Sequence, residues 1–265
     1  MNGVRPAAVA GLFYPGLAAE LDSMARQFVS DSEFDEPTYS PKAIIAPHAG
    51  FIYSGPIAGS AFRCFAAAAT TIRRIVLIGP AHRLPVQGLA LPGQVAFETA
   101  LGTVPVDEEL VESIADMPQV SINTAAHAPE HCLEVELPFL QIVLESFSIL
   151  PLLVSRIDAE QLAEVLERLW GGPETRFVIS SDLSHYLSYD AAQETDRESA
   201  RRVVDLEPPI AEQRACGAVA INGLLAAARR HHLAPRLLDL RNSGDTAGDR
   251  RQVVGYGSFG FAVPS

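Results

Sequence analysis

The chain is short of cysteine and short of positive charge. Cysteine occurs three times in 265 residues, at Cys64, Cys132 and Cys216. So sparse and odd a set excludes a disulfide-stapled scaffold and points to a reducing compartment. Basic residues number 20 against 32 acidic ones, for a formal net charge of -12. A surface this acidic repels phosphate backbones, which argues against nucleic-acid binding. The clearest basic cluster, Arg229-Arg230-His231-His232, reads as the end of a helix, where positive charge complements the helix dipole. No apolar run reaches the roughly 18 residues of a membrane span. The opening MNGVRPAAVAGLFYPG lacks the basic-then-apolar pattern of a secretory leader. There is no internal repeat. A cytoplasmic protein with no membrane or nucleic-acid partner is the expectation.

What is present is core. Hydrophobic residues make up 48% of the chain and charged residues 20%, enough for a large buried interior and too apolar for wholesale disorder. Short apolar runs read as strands at Ala43–Ala46, Arg74–Ile78, Leu89–Leu91, Ile149–Val154, Phe177–Ser180, Arg236–Leu240 and Val253–Ala262. Between them, helical spacing recurs at Leu17–Phe28, Pro56–Phe65, Asp107–Ala115, Glu134–Ser146, Ala159–Trp170, Ala191–Val204 and Gly217–His231. Asp158 and Asp190 are candidate caps. Alternating strands and helices predict an α/β fold, a three-layer α/β/α sandwich around a mixed, mostly parallel sheet. The Asp31–Pro41 stretch and Glu207-Pro208-Pro209 read as loops too short to be linkers, so a single domain over residues 1–265 is expected.

Three of the strands end alike. Ile44-Ile-Ala46 runs into Pro47-His48-Ala49-Gly50, Ile75-Val-Leu-Ile78 into Gly79-Pro80-Ala81-His82, and Phe177-Val-Ile179 into Ser180-Ser181-Asp182-Leu183-Ser184-His185. In an open parallel sheet the carboxyl ends share one edge, where a ligand crevice forms. Glycine and proline there let the backbone turn sharply and approach a ligand. One histidine after a strand is usually a hydrogen-bonded loop residue; three in one chain point to a site. Imidazole is both a metal ligand and a general base near neutral pH. Two histidines rarely hold a metal alone. Cys216 lies where a helix is expected to begin, a place that favours thiolate. Equally, it reads as a small buried core residue.

PHAG at Pro47–Gly50, GPAH at Gly79–His82, EHCLEVELPFLQ at Glu130–Gln141, SSDLSHY at Ser180–Tyr186, CG at Cys216–Gly217 and NSGDTAGDRRQVVGY at Asn242–Tyr256 occur in this order. Together they resemble the Memo family, in its bacterial and archaeal branch, and the opening RPAAVAGLFYP at Arg5–Pro15 resembles the family's start. The family is similar in fold to the class III extradiol dioxygenases, which hold non-haem Fe(II) with two histidines and a glutamate. In Memo proteins cysteine replaces that carboxylate. The resemblance therefore implies metal ligands at His48, His82 and Cys216, an acid/base histidine at His185 with Asp182 as its carboxylate, and a crevice lined by His131. It implies Fe(II), with copper or zinc as alternatives for a thiolate-containing set. It also implies pathway partners, an AMMECR-type protein and a radical S-adenosylmethionine protein of the AmmeMemoRadiSam system.

Three functions compete. A metal-dependent oxidoreductase acting on a small molecule needs a redox metal together with His48, His82, His185 and Cys216. A binding or adaptor protein recognising a peptide or partner keeps binding after His48 is removed. A zinc-dependent hydrolase carries zinc and ignores oxygen. His127-Ala-Pro-Glu130-His131 literally matches the inverted zinc-peptidase motif, but that motif needs one helix through both histidines, and Pro129 is better placed at a first helical position. Gly255-Tyr-Gly257-Ser-Phe-Gly260 matches a dinucleotide fingerprint, yet the sequence leaves no room for the helix that must follow. It reads as a closely packed strand. Asn242–Asp249 reads as a turn-rich loop that the resemblance brings towards the site.

Overall fold

The structure is a computed structural model and describes residues 1–34, 36 and 39–264. Uninterrupted aliphatic runs can be buried on both faces of a sheet, and four of them form its centre. Ala43–Ala46, Thr175–Ser180, Arg74–Pro80 and Ser148–Val154 lie side by side in that order, all parallel. Every residue in them except Arg74 and Ser148 is buried. Antiparallel pairings enter on both sides. Val253–Ala262 joins Ala43–Ala46 and also carries His185–Leu187 and Ala234–Asn242. On the far side Leu89–Leu91 runs antiparallel to Ser148–Val154 and pairs in parallel with Val120–Ile122. The nine-stranded sheet is thus mixed, with its parallel part at the centre. A separate three-stranded sheet joins Val4–Arg5, Ala96–Thr99 and Gly102–Pro105.

Helices flank the large sheet. Ala218–Arg230 and Ala159–Arg168 pack together beside the Arg74–Pro80 and Thr175–Ser180 strands. Phe51–Arg63 lies against Ala43–Ala46 and Val253–Ala262, with Ala18–Ser30 and Leu137–Val143 beside it. The Asp158 cap forms, its carboxylate accepting from Gln161 N at 2.8 Å. Asp190 does not cap; Ser188 holds that position and Asp190 falls in the first turn of Tyr189–Val204, where its charge still suits the dipole. The helix expected from Pro56 begins at Phe51. Proline there forfeits only the one bond its missing N–H would make to Ile52. The glycine-rich tract is a strand, as read. Within the Asp31–Pro41 loop, Asp35, Pro37 and Thr38 lie outside the described residues. Among the described residues no helix is long and apolar enough to cross a membrane.

The chain's beginning is tied to the middle by a buried ion pair. Arg5 is 1% exposed and its Nη1 meets Glu134 Oε2 at 2.6 Å. Arg5 also donates to the carbonyls of His127 at 2.8 Å and Glu130 at 2.5 Å. Glu134 accepts in addition from Ala8 N, Val9 N and Tyr14 Oη at 2.8, 3.0 and 2.7 Å. Every lone pair direction of this carboxylate has a donor, the condition under which a buried pair holds together. Removing one partner leaves the other charge buried and uncompensated. Arg5→Met is therefore expected to cost about 3–5 kcal/mol, measured by equilibrium urea unfolding; a loss below about 1 kcal/mol would show that the pair is not a structural anchor.

Candidate metal centre

Because the four central strands are parallel, their carboxyl ends open on one edge. His48 follows one strand, His82 a second and the Ser181–His185 loop a third. Two glycines make the approach feasible. A Cβ on Gly79 would stand 2.6 Å from Cys132 Sγ, and one on Gly217 would stand 2.6 Å from Ser181 Cβ. Only glycine fits at such close packing.

His48, His82 and His131 bring ring nitrogens within 4.8 Å of one another. Their ring centroids are 5.2 Å apart for His48 and His82, 5.4 Å for His48 and His131, and 4.9 Å for His82 and His131. Cys216 Sγ lies 3.3 Å from His48 Nε2. His48 thus stands beside both other expected ligands, His82 and Cys216, while Cys216 joins neither of the groups whose donor atoms all lie within 4.8 Å of one another. His131, expected only to line the crevice, belongs to the imidazole cluster itself. A second close group joins His82, Glu130 and Cys132. Cys132 is fully buried, its Sγ 3.2 Å from Pro80 O, and burial pushes its thiol well up.

Hydrogen bonds on the far sides of the rings set which nitrogen faces inward. His82 Nδ1 lies 3.0 Å from Glu130 Oε1. A carboxylate only accepts, so Nδ1 carries the proton and Nε2 keeps its lone pair. His48 Nδ1 lies 2.7 Å from Ser180 Oγ, which also contacts Cys132 O and Glu136 Oε1, each at 2.8 Å. The carbonyl can only accept the serine's single proton, so His48 Nδ1 donates and its Nε2 points unprotonated at Cys216. His131 Nδ1 also lies 3.0 Å from Glu130 Oε1, close enough for charge attraction though without the alignment of a hydrogen bond.

Electrostatics favour a neutral His48 ring. Burial, then the neighbouring His82 and His131, hold His48 well below the ordinary imidazole value. Burial works against the charge of Glu130, but the imidazoles of His131 and His82 more than offset it and hold the carboxyl well below its usual range. Asp182 is pushed up by burial, opposed by the N–H of His48, which its Oδ1 accepts at 2.8 Å. Glu136, fully buried, is pushed well up by desolvation.

Two expectations are corrected. The helix after Cys216 begins at Ala218, and burial followed by the charge of Asp182 pushes the thiol up to about 12 rather than down. The unprotonated His48 Nε2 at 3.3 Å and the Asp182 carbonyl at 3.7 Å can each accept the thiol proton. Asp182 does not orient His185. It holds the Pro47–His48 turn, while His185 Nδ1 donates to Leu183 O at 2.8 Å and so leaves Nε2 free.

The Cys216–His48 pair has the spacing of two donors on one metal ion. Sulfur and nitrogen ligands on one tetrahedral ion stand roughly 3.5 Å apart, and Cys216 Sγ and His48 Nε2 are 3.3 Å apart. The peptidase pattern does not fit. The short helix Thr124–His127 stops at His127, and helical structure resumes only at Glu134, not at Pro129. His127 is buried, bonded to Ala90 O at 2.8 Å and pushed down by burial to about 4. The Asn242–Asp249 loop closes on itself through a capping box at Asn242 and Asp245. It does not line the cavity of about 380 Å³ that reaches His82 and Cys216.

Glu130 and Glu136 carry opposite shifts, which gives opposite pH responses. Glu130 lies below its ordinary 4.5, so its contribution is complete above that pH and lost as pH falls below it. Glu136 lies above its ordinary 4.5, so its contribution is complete below that pH and lost as pH rises through the shifted value. Glu130→Gln is expected to flatten the acid limb of the stability curve and weaken metal uptake 10–100-fold. Glu136→Gln is expected to raise stability at pH 8 and change little at pH 4. Urea midpoints across pH, with metal titration of both variants, check this. Parallel responses of the two variants would contradict it.

The chain matches the family model described as Memo-like protein over residues 5–260. A MEMO1 family protein of Aquifex aeolicus is 35% identical over 269 residues, covering 96% of this chain and 97% of the relative. One from Ignicoccus hospitalis is 34% identical over 289 residues, covering 98% and 99%. One from Methanosarcina barkeri is 33% identical over 270 residues, covering 96% and 98%. With the strand-end histidines, the Glu130-His131 turn and Cys216 all brought to one edge of a mixed α/β sheet, and with relatives matched along nearly their whole length, the chain belongs to the Memo-like family.

Proposed function

We propose that the protein is a metal-dependent oxidoreductase whose ion is held by His48, His82 and Cys216, with His131 as a neighbouring donor. The observation that carries the reading is the meeting of Cys216 Sγ and His48 Nε2 at 3.3 Å beside two further imidazoles. One thiolate and neutral imidazoles suit Fe(II), and suit copper and zinc as well. Bound there, the ion would supply a Lewis acid and, if iron or copper, a one-electron couple. The protein's own part is proton management. His185 Nε2 is free to accept or donate a proton, while Glu130 is occupied by N–H donors and Asp182 by His48 N. That leaves His185 as the mobile acid/base of the site. The sheltered sulfur and the three free cysteines suit a reducing, cytoplasmic setting.

Metal uptake has to displace the Cys216 proton, because that thiol is pushed up to about 12, while His48 is already neutral. Affinity is therefore expected to rise about tenfold per pH unit, with one proton released per ion. Elemental analysis of anaerobically purified protein, followed by metal titration from pH 6 to 9, tests this. Stoichiometric iron or copper, lost in Cys216→Ala and His48→Ala, supports the reading. Zinc alone moves it to a hydrolase. Protein that neither carries nor takes up metal sinks it and leaves the crevice as a binding surface.

A further inference from the structure

In a chain with 20 basic and 32 acidic residues, a free carboxylate is expected and a free guanidinium is not. Nearly every arginine here is engaged. Arg5, Arg74, Arg168, Arg201, Arg230 and others meet carboxylates. Arg214, Arg229 and Arg202 meet backbone carbonyls. Among the described residues the side chains of Arg83 and Arg156 are the exceptions. Both are exposed, and neither side chain has a hydrogen bond, ion pair or ring contact.

Both stand at the carboxyl-end edge. Arg83 directly follows His82, and Arg156 lies two residues beyond the Ser148–Val154 strand. Their segments are bonded to each other through Ala81 N to Val154 O at 3.0 Å and Gly88 N to Arg156 O at 3.0 Å. Arg156 also lines the cavity of about 380 Å³ whose walls include His82 and Cys216. That volume suits a small organic molecule. Glu212 shares the wall, yet no ion pair joins it to Arg156, so the guanidinium keeps its full donor fork.

We propose that this cavity binds a small organic oxyanion, its carboxylate or phosphate group held by Arg156 at the rim and its other end turned towards His82 and Cys216. The proposal deepens the metal-site reading and rests on it for the direction in which the ligand points, though not for the ionic contact. Planar guanidinium matches both oxyanions through paired N–H donors. Arg83 on the neighbouring segment adds positive field at the mouth, and Arg156 sets the preference for anions.

The test uses metal-free protein at low salt, where exposed charges are least screened, and three matched probes: benzoate, phenyl phosphate and neutral benzamide. Calorimetry or ligand-observed NMR reads the affinities. At least one anion is expected to bind ten times more tightly than benzamide, and which of the two it is assigns the headgroup. Arg156→Gln should remove that preference, Arg156→Lys should keep part of it, and Glu212→Gln should strengthen anion binding two- to fivefold. Arg251→Gln, remote and already paired with Asp249, should change nothing. Equal binding of benzamide, or a charge preference that survives in Arg156→Gln, overturns the proposal. The two readings fail separately: a protein that takes no metal can still show the anion preference, and Arg156→Gln should take up metal like the parent.

Discussion

Glu130 has to stay charged in a place where burial opposes charge, and the candidate centre depends on how that conflict is resolved. Its carboxylate is 2% exposed. Four backbone N–H groups converge on it, from His82 at 2.6 Å, His131 at 2.9 Å, and Arg83 and Cys132 at 3.3 Å each. His82 Nδ1 adds a fifth donor. Two segments 48 residues apart in sequence are thereby fixed to one carboxylate, which is how His131 reaches the histidines that follow strands. The same bonds aim His82 Nε2 inward. Arg5, reaching the Glu130 carbonyl from the other side, makes the chain's beginning part of the support. A carboxylate that binds N–H groups on its outer side and orients imidazoles on its inner side is the usual backing of a metal-binding histidine.

The buried acids around the edge are handled in different ways, and the differences have chemical consequences. Glu134 is neutralised by Arg5 and filled with donors. Glu130 is held charged by N–H groups and rings. Asp182 accepts from His48 N and closes the turn that presents the imidazole. Glu136, with one oxygen against Ser180 Oγ and the other without a partner, is pushed by burial towards its neutral form. Without metal, then, the interior of the centre carries the Glu130 charge, a protonated Cys216 thiol and a neutral His48 ring. A divalent ion entering such a site finds His48 already neutral and has to displace the Cys216 proton. The centre is thus prepared without paying the cost of a bare buried thiolate.

Much of this was legible in sequence, and the reasons are physical. A fully buried parallel strand has to be an unbroken apolar run, so Ala43–Ala46, Arg74–Ile78 and Phe177–Ser180 announced themselves, and the residues after them had to share an edge. His48, His82 and His185 followed from that. The short strands Ala96–Thr99, Gly102–Pro105, Val120–Ile122 and His185–Leu187 were not visible, because three or four residues with partly exposed faces carry no clear period. His131 follows no strand. It arrives through a turn whose position is set by hydrogen bonds to residues far away in sequence, and periodicity does not report such bonds. The adjacent acid, Glu130, was the available signal. Cys216 stands beside His48, but its environment differs from the sequence expectation, since a helix that begins two residues later and a buried sulfur outweigh the dipole.

The two ends of the sheet show why cavity size alone is a poor guide to function here. A cavity of about 780 Å³ opens at the amino ends of the central strands, beside Lys42, Trp170 and Arg176. Its cations are already spent. Lys42 Nζ donates to the carbonyls of Trp170, Gly172 and Thr175, and burial lowers its pKa to about 8. Arg176 donates to the Pro173 and Thr175 carbonyls and to Ser40 Oγ. Both side chains secure the turn that leads into the Thr175–Ser180 strand, and a ligand would have to compete with three carbonyls for the lysine alone. The smaller cavity at the carboxyl ends has the reverse character. His82 and Cys216 are in its wall, its sulfur can give up a proton, and its Arg156 side chain has no partner. Bonding capacity left open, rather than empty volume, separates a site that can take a ligand from a crevice left by folding.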